Sequence, residues 1–325
     1  MKPKNHMPGI WLENQSLHYT NDLCMPTPGD GEALIKVSLA GICGTDLQLL
    51  KGYYPFTGIP GHEFVGTAEA APSAPQLIGK RVVGEINIGC GECGLCRQGL
   101  EKHCATRRVL GIKNHHGAFC QYLTLPTKNL HLVPDTVSDE QAVFTEPLAA
   151  AARILEQLDI QSSHSVLIIG AGRLGLLIAQ VLNTAHCRLQ VVARHEKQRQ
   201  LLGSFTIPAI AEAEVAVGQA DVVVEASGSA AGLYKAMHAV KPTGTIVLKS
   251  TYAGDTQFDF SQLVVNEVRI VGSRCGPFEP ALTLLQQNRV DPAPLISARF
   301  PLSRASEAFA AAAQPGALKV LLQPE

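Results

Sequence analysis

The sequence predicts an α/β protein in two parts: a mainly β, barrel-like unit, then a doubly wound parallel sheet. Two observations carry this. Up to about Glu146, short β-like runs alternate with Gly- and Pro-rich turns, and after Ser165 wholly apolar strands alternate with helical stretches. The first pattern suits short strands with turn punctuation, the second a parallel sheet covered on both faces. At 325 residues the chain is long enough for two ordinary domains.

In the first part, Ala33–Val37 and Lys80–Gly84 read as strands. Pro28-Gly29-Asp30-Gly31, Pro60-Gly61 and a Gly- and Cys-rich loop supply the turns. Ser138 and Gln141 have the spacing of a capping box, and Pro147 suits the start of a further helix through Ala149–Leu158. In the second part, strands are expected at Val166–Ile169, Leu189–Val192, Asp221–Glu225, Thr245–Leu248 and Val268–Val271. Helices are expected at Leu174–Ala185 and Glu196–Leu202. After about Asp291 the chain turns Pro-rich, then gives an Ala-rich helix, Arg304–Ala313, and a last strand, Leu318–Leu322.

Composition excludes several classes. With 46% apolar and 17% charged residues the chain can bury a large core. Lys plus Arg number 27 and Asp plus Glu 28, a formal net charge of −1, so neither nucleic acid nor an anionic membrane is an expected partner. The N-terminal stretch has no apolar signal core, and glycines and Arg173 interrupt the most apolar run, Val166–Leu182. The expectation is a soluble, cytoplasmic protein acting on a small molecule.

Gly170-Ala-Gly172-Arg173-Leu174-Gly175 follows an apolar strand and opens a helix. In that setting the glycines permit a tight turn and close backbone approach, and the helix N-terminus offers N–H groups to a pyrophosphate. The fingerprint therefore predicts a dinucleotide-binding Rossmann domain. An NAD site wants an acid at the end of the next strand, but this chain has Ala193 and Arg194 there, with Lys197 nearby. A guanidinium suits a 2′-phosphate, so NADP is favoured over NAD. Glu196 is assigned to the first turn of the following helix, where an acid is favourable in any case.

Cysteine number and spacing are the next signal. Of nine cysteines, Cys90, Cys93, Cys96 and Cys104 fall within fifteen residues. Four thiolates so spaced suit a closed tetrahedral zinc site of the structural kind. Arg97, Lys102, Arg107, Arg108 and Lys113 lie close by without interleaved aromatics, which favours a solvated loop face over a nucleic-acid module. Cys24, Cys120, Cys187 and Cys275 are expected to be packed thiols. Cys43 in Gly41-Ile-Cys-Gly-Thr-Asp46, with His62 and Glu63 in Gly61-His-Glu-Phe-Val-Gly66, forms a third group whose donors suit zinc.

Taken together these motifs, with Glu146-Pro-Leu148 and the closing Lys319-Val-Leu, resemble the zinc-dependent medium-chain alcohol dehydrogenases, in the branch of threonine and sorbitol dehydrogenases. The resemblance runs from about Gly29 to the C-terminus. It implies a GroES-like catalytic domain over residues 1–146 with a zinc lobe at 90–104, a Rossmann domain over 147–288, and a segment 289–325 that completes the catalytic domain. The active site is then expected in the cleft between the domains. It further implies a catalytic zinc on Cys43, His62 and Glu146, since no second Cys lies near Glu146, with Glu63 close to the metal and Asp46 orienting His62. Thr45 is implied to pass the proton of an alcohol outward. Ser227, with Ala226 and Gly228, and Ser250 with Thr251 are implied near the nicotinamide, and Lys319 at the cofactor phosphates.

Many relatives carry a His about five residues after the ligand Cys, and here that place is Gln48. Either Glu63 and water move the proton, or the relay is weaker; His115 and His116 are assigned to a turn. Tyr53, Tyr54, Phe56, Arg274 and Phe278 are candidates for a substrate pocket or for packing. The implied reaction is hydride transfer between an alcohol (secondary alcohol, polyol, sugar or hydroxy amino acid) and NADP(H) or NAD(H), in a homo-oligomer. Two rival readings stay open: a zinc-free quinone or enoyl reductase of the same superfamily, against which Cys43, His62 and Glu146 argue, and a non-catalytic zinc- and nucleotide-binding redox sensor.

Overall fold

A computed structural model describes residues 6–52, 54–251 and 258–325. Tyr53, a candidate pocket residue, lies outside them. The contacts divide the chain into two compact units. One comprises Met1–Glu146, Phe278–Gln286 and Leu295–Glu325; the other comprises Pro147–Pro277 and Gln287–Pro294.

The first unit opens with a hairpin of β1 (His6–Glu13) and β2 (Ser16–Cys24), turned by Asn14 and Gln15, both at positive φ. Such a two-residue turn matches strand twist, but without the usual glycine it leaves little signal in the sequence. Next come β3 (Glu32–Ile42), α1 (Gly44–Leu50), β4 (Glu63–Ala70), β5 (Arg81–Gly84), β6 (Asn87–Ile88) and α2 (Gly94–Arg97). After them stand β7 (Arg108–Val109), β8 (Tyr122–Pro126), β9 (Leu130–Leu132), α3 (Asp139–Ala142) and α4 (Thr145–Gln157). The capping box forms at α3: Ser138 Oγ accepts from the Gln141 N–H and Gln141 Oε1 accepts from the Ser138 N–H.

The second unit holds β10 (Ser165–Ile169), α5 (Arg173–Asn183), β11 (Arg188–Val192), α6 (Glu196–Ser204) and β12 (Ala209–Ile210). It continues with β13 (Ala220–Glu225), α7 (Ala230–Ala239), β14 (Val240–Leu248), α8 (Ser261–Val265) and β15 (Arg269–Gly272). These strands form one parallel sheet in the order β12-β11-β10-β13-β14-β15. Leu167, Ile169, Val223 and Ile246 from the strands pack with Ala236 and Met237 of α7. The chain then gives α9 (Phe278–Gln286), β16 (Ile296–Pro301), α10 (Ala305–Ala313) and β17 (Lys319–Gln323). α9 falls in the first unit, although 278–286 lay within the segment expected to close the Rossmann domain. The reason is packing: Phe278 is buried, its ring 5.5 Å from His131, and its N–H donates to Glu85.

β3 is the spine of the first unit's seven-stranded sheet, which runs β16-β17-β3-β4-β5-β9 with β8 also on β3. β3 pairs with β4 along one side, while β8 and then β17 share the other. Irregularities at Leu34/Ile35 and Val37/Leu39 bend it. Ile35, Val65, Val82, Leu125 and Leu321, from β3, β4, β5, β8 and β17, are fully buried. The β16 strand stands where the sequence read as an irregular Pro-rich segment; its parallel pairing with β17 supplies what local propensity does not.

Candidate functional site

Register brings the Cys43 group together. Gly41 on β3 lies opposite Glu63 on β4, so Cys43, just past the end of β3, and His62, just before β4, arrive at the same place. One ligand atom from each of Cys43, His62 and Glu63 lies within 4.8 Å of the others. His62 and Glu63 are 3% and 1% exposed.

Asp46 does two jobs there. Its Oδ2 accepts the Cys43 N–H at 2.8 Å, closing the first turn of α1, and its Oδ1 faces His62 Nδ1 at 3.4 Å. A carboxylate behind the imidazole is the arrangement that orients a ligand histidine. Burial alone would lower the His62 pKa, but the Asp46 carboxylate and the Cys43 sulfur beside it hold it well above its usual value. Thr45 Oγ1 stands 3.7 Å from Cys43 Sγ. Three buried polar atoms in this one spot, Asp46 Oδ1, His62 Nδ1 and Glu63 Oε1, have no fully formed hydrogen bond. Buried polar atoms are seldom left so, and a soft, borderline donor set of sulfur, imidazole and carboxylate fits a zinc ion.

Two expected residues stand differently. The carboxylate grouped with Cys43 and His62 is Glu63, carried in on β4 directly after His62, and not Glu146, which is half-buried in the first turn of α4. Lys319, expected at the cofactor phosphates, is 3% exposed and bonds Glu63 Oε2 instead. Its ammonium also lies 5.6 Å from the centre of the Phe144 ring. Antiparallel pairing of β17 with β3 puts Lys319 there, and Gly41 makes the room: a Cβ at that position would meet Glu63 Oε2 at 2.4 Å.

The four-cysteine group is equally local. Ligand atoms of Cys90, Cys93, Cys96 and Cys104 lie within 4.8 Å of one another. Backbone N–H groups already point at sulfur: Cys93 donates to Cys90 Sγ and Cys96 to Cys93 Sγ, each at 3.4 Å. A hydrogen bond from Thr106, then backbone N–H contact, bring the Cys104 thiol down to about 6, while burial pushes Cys96 up to about 12. Four sulfurs in mutual contact with N–H support fit a closed zinc site.

In the second unit a cavity of about 170 Å³ opens at the carboxyl ends of β10 and β13. Its floor is the fingerprint, Gly170 to Gly172, and Ser227 and Arg194 line its walls. Gly170 adopts a φ of +106° and Gly175 packs so tightly that a Cβ would sit 1.9 Å from Gly170 O. Gly172 caps α5, and Arg173 and Leu174 begin it. Ala193 is buried and its carbonyl, like that of Arg194, accepts from Arg199. Glu196 sits in the first turn of α6, paired with Arg199 at 3.1 Å, and does not line the cavity. Lys197 is exposed on α6 and does not line it either.

Sequence reasoning missed Glu212, Ser229 and Lys235 in this lining, and the buried Glu225 beneath it. Glu225 Oε1 accepts the N–H and hydroxyl of Ser227 and shapes the β13–α7 turn. The only hint was position, since Glu225 ends a strand and Glu212 follows one.

Gln48 is exposed on α1. His116 Nδ1 accepts the N–H of Ile59, 57 positions away, and His115 Nδ1 lies 2.7 Å from His116 O. Tyr54 is 49% exposed. Cys120 is buried and Cys187 and Cys275 partly so, but Cys24, expected to be packed, is exposed on the β2 edge.

Comparison with known proteins finds matches along most of the chain. The alcohol dehydrogenase GroES-like domain matches residues 29–135, and the glucose dehydrogenase C-terminus matches residues 139–323. A sorbitol dehydrogenase of Halalkalibacterium halodurans is 30% identical over 92% of this chain and 93% of its own length. The crystal structure of a zinc-binding dehydrogenase of Sinorhizobium meliloti bound to NADP superposes with a TM-score of 0.91 at 28% identity, over 99% of this chain and 100% of that one. The RspB alcohol dehydrogenase of Escherichia coli CFT073, complexed with NADH, gives a TM-score of 0.91 at 27% identity, over 98% and 99%.

Proposed function

Because the chain belongs to the zinc-dependent medium-chain alcohol dehydrogenase family, we propose that it is an oxidoreductase that moves a hydride between an alcohol and NADP(H) or NAD(H). The observation that carries this reading is the Cys43, His62 and Glu63 group with Thr45 beside it. Cys43 and His62 hold a catalytic zinc together with a carboxylate, Glu63 as it stands or Glu146 from α4. Zinc, when bound, supplies a Lewis acid that lowers the pKa of an alcohol and leaves the hydride to the nicotinamide.

The side chains around it position and carry protons. Asp46 keeps the His62 ring in one orientation and one tautomer. Lys319 balances the charge of Glu63 and holds one of its oxygens, which limits the net negative charge that Cys43 and Glu63 bring into a buried place. Thr45 hands the proton of the alcohol outward. With Gln48 unable to titrate, water completes that route. Cys90, Cys93, Cys96 and Cys104 hold a structural zinc.

The fingerprint cavity would hold the dinucleotide, with the N–H groups at the N-terminus of α5 to receive a pyrophosphate. Arg194 at the β11 exit favours NADP over NAD. The substrate class is secondary alcohols, polyols, sugars or hydroxy amino acids, and the likeness to a sorbitol dehydrogenase supports polyols. Free thiols in both groups suit a reducing compartment such as the cytoplasm. A homo-oligomer fits the exposed Phe260, Val264 and Val265 at α8 beside the edge strand β15. Among the described residues no helix is long and apolar enough to cross a membrane.

The test is turnover on a panel of these alcohols with NADP⁺ and with NAD⁺, on metal-replete and on chelated protein. Metal-dependent reduction of either cofactor is the expected result. Binding of both cofactors with no turnover across the panel would overturn the reading in favour of a sensor.

A further inference from the structure

The fingerprint cavity carries a charge arrangement of its own. Arg194 follows β11, Glu212 opens the 3₁₀ turn after β12, and Lys235 stands on α7; all three line the cavity. Lys235 Nζ lies 2.6 Å from Glu212 Oε1. The Lys235 hydrogen bond first, then the charges of Lys235 and Arg194, hold the Glu212 carboxyl below its usual range, so it is ionised at neutral pH and within electrostatic reach of Arg194. Among the described residues the Arg194 guanidinium has no hydrogen-bond or ion-pair partner.

Two cations and one anion thus face the same space, at the end where an adenosine ribose is read. A 2′-phosphate adds close to two negative charges at that point, whereas a ribose 2′-hydroxyl adds none and donates a hydrogen bond to a carboxylate. An ionised acid beside Arg194 therefore opposes the phosphate and suits the hydroxyl. A lysine bound to that acid cancels its charge and keeps it off the arginine.

The geometry points to Glu212 as a specificity-determining residue that sets the choice between cofactors with and without a 2′-phosphate. Lys235 is its positioning partner: by holding Glu212 it leaves Arg194 to meet the phosphate. This rests on the reading of the cavity as the dinucleotide site. It places the acid that the β11 exit lacks on the exit of the neighbouring strand, and it makes cofactor choice a balance of three charges rather than the property of Arg194 alone.

The experiment measures dissociation constants on the full chain for NADP⁺, NAD⁺ and a matched fragment pair, adenosine 2′,5′-bisphosphate and AMP, which differ only in the 2′-phosphate. Glu212→Gln tightens NADP⁺ and the bisphosphate about three- to tenfold, with NAD⁺ and AMP moved far less, and the gain shrinks in high salt. Lys235→Met weakens the same two ligands by a similar factor, because Glu212 is then released towards Arg194. The double variant Glu212→Gln/Lys235→Met binds the bisphosphate at least as well as the parent, since a positioning residue has nothing left to position. A purely structural role for the pair would instead lower the affinity of all four ligands together.

Selectivity for the bisphosphate over AMP that stays unchanged in both single variants overturns the inference and leaves the dinucleotide site standing. A double variant that binds the bisphosphate as poorly as Lys235→Met assigns Lys235 a direct phosphate contact and overturns its positioning role. If the parent protein binds none of the four ligands, the cavity reading itself falls and the inference with it.

Discussion

Cys43 closes α1 with its backbone and offers its sulfur to the site, so the two roles are separable by substitution. Cys43→Ala keeps the Asp46 bond to the backbone N–H, removes only the sulfur, and is expected to abolish turnover while cofactor affinity stays within about twofold. Isothermal titration with NADP⁺ beside a turnover assay checks both halves, and retained activity would sink the zinc mechanism. Asp221 shows a residue acting on stability instead. It bonds Lys241 and accepts the Ser165 N–H at 2.7 Å, tying together the starts of β13, β14 and β10. Partial burial raises its pKa, but Lys241 and the Ser165 N–H outweigh this and set it below its usual 3.8. The folded value being the lower one, the contribution is present above pH 3.8 and is lost as pH falls through the folded value. Asp221→Asn should cost about 1 kcal/mol at pH 7 by denaturant unfolding, with the gap to the parent closing under acid conditions. Both residues were open to sequence reading in different degree. Cys43 announced itself by its motif, whereas Asp221 was visible only as the first residue of a strand.

At the scale of elements, the lobe from Cys90 to Cys104 has little apolar core of its own. Its α2 spans four residues, and the strands β6 and β7 that flank it span two residues each. Elements this short are not stable by propensity, so binding of the proposed zinc and folding of the lobe would be one event. Cys93→Ser is therefore expected to lose one of two bound zinc ions, to expose the lobe to proteolysis and to lower the melting temperature. Plasma emission spectrometry and limited proteolysis give the readout, and a soluble variant with full zinc would refute the assignment. The same scale shows where sequence reading succeeded. The strands and helices around the fingerprint fell within a few residues of expectation, because fully apolar strands and a Leu-rich helix carry strong local signals. The hairpin of β1 and β2 and the strand β16 escaped it, since the former turns on Asn-Gln without glycine and the latter is held by pairing to β17.

For the whole molecule, the exposed apolar residues of α8 next to the β15 edge give a direct test of assembly. Val265, 79% exposed, is expected to tolerate a charge in a monomer but not in an interface. Val265→Asp should shift the sedimentation coefficient from oligomer to monomer without loss of zinc. An unchanged coefficient would remove this face from the interface. The candidate side chains were legible in the sequence, because metal-ligand and phosphate-binding patterns come in short motifs whose spacing is local: four thiols in fifteen residues, Cys43 with Thr45 and Asp46, His62 with Glu63, and Gly170 to Gly175. What only the tertiary structure decided are the pairings between residues distant in the chain. Lys319 binds Glu63 across 256 positions because β17 and β4 flank β3, and Glu212 meets Lys235 at the cavity because β12 and α7 lead to the same end of the sheet. Charges have no spacing rule of their own. Which acid faces which base depends on strand order and register, and those are set by burial of the whole apolar sheet.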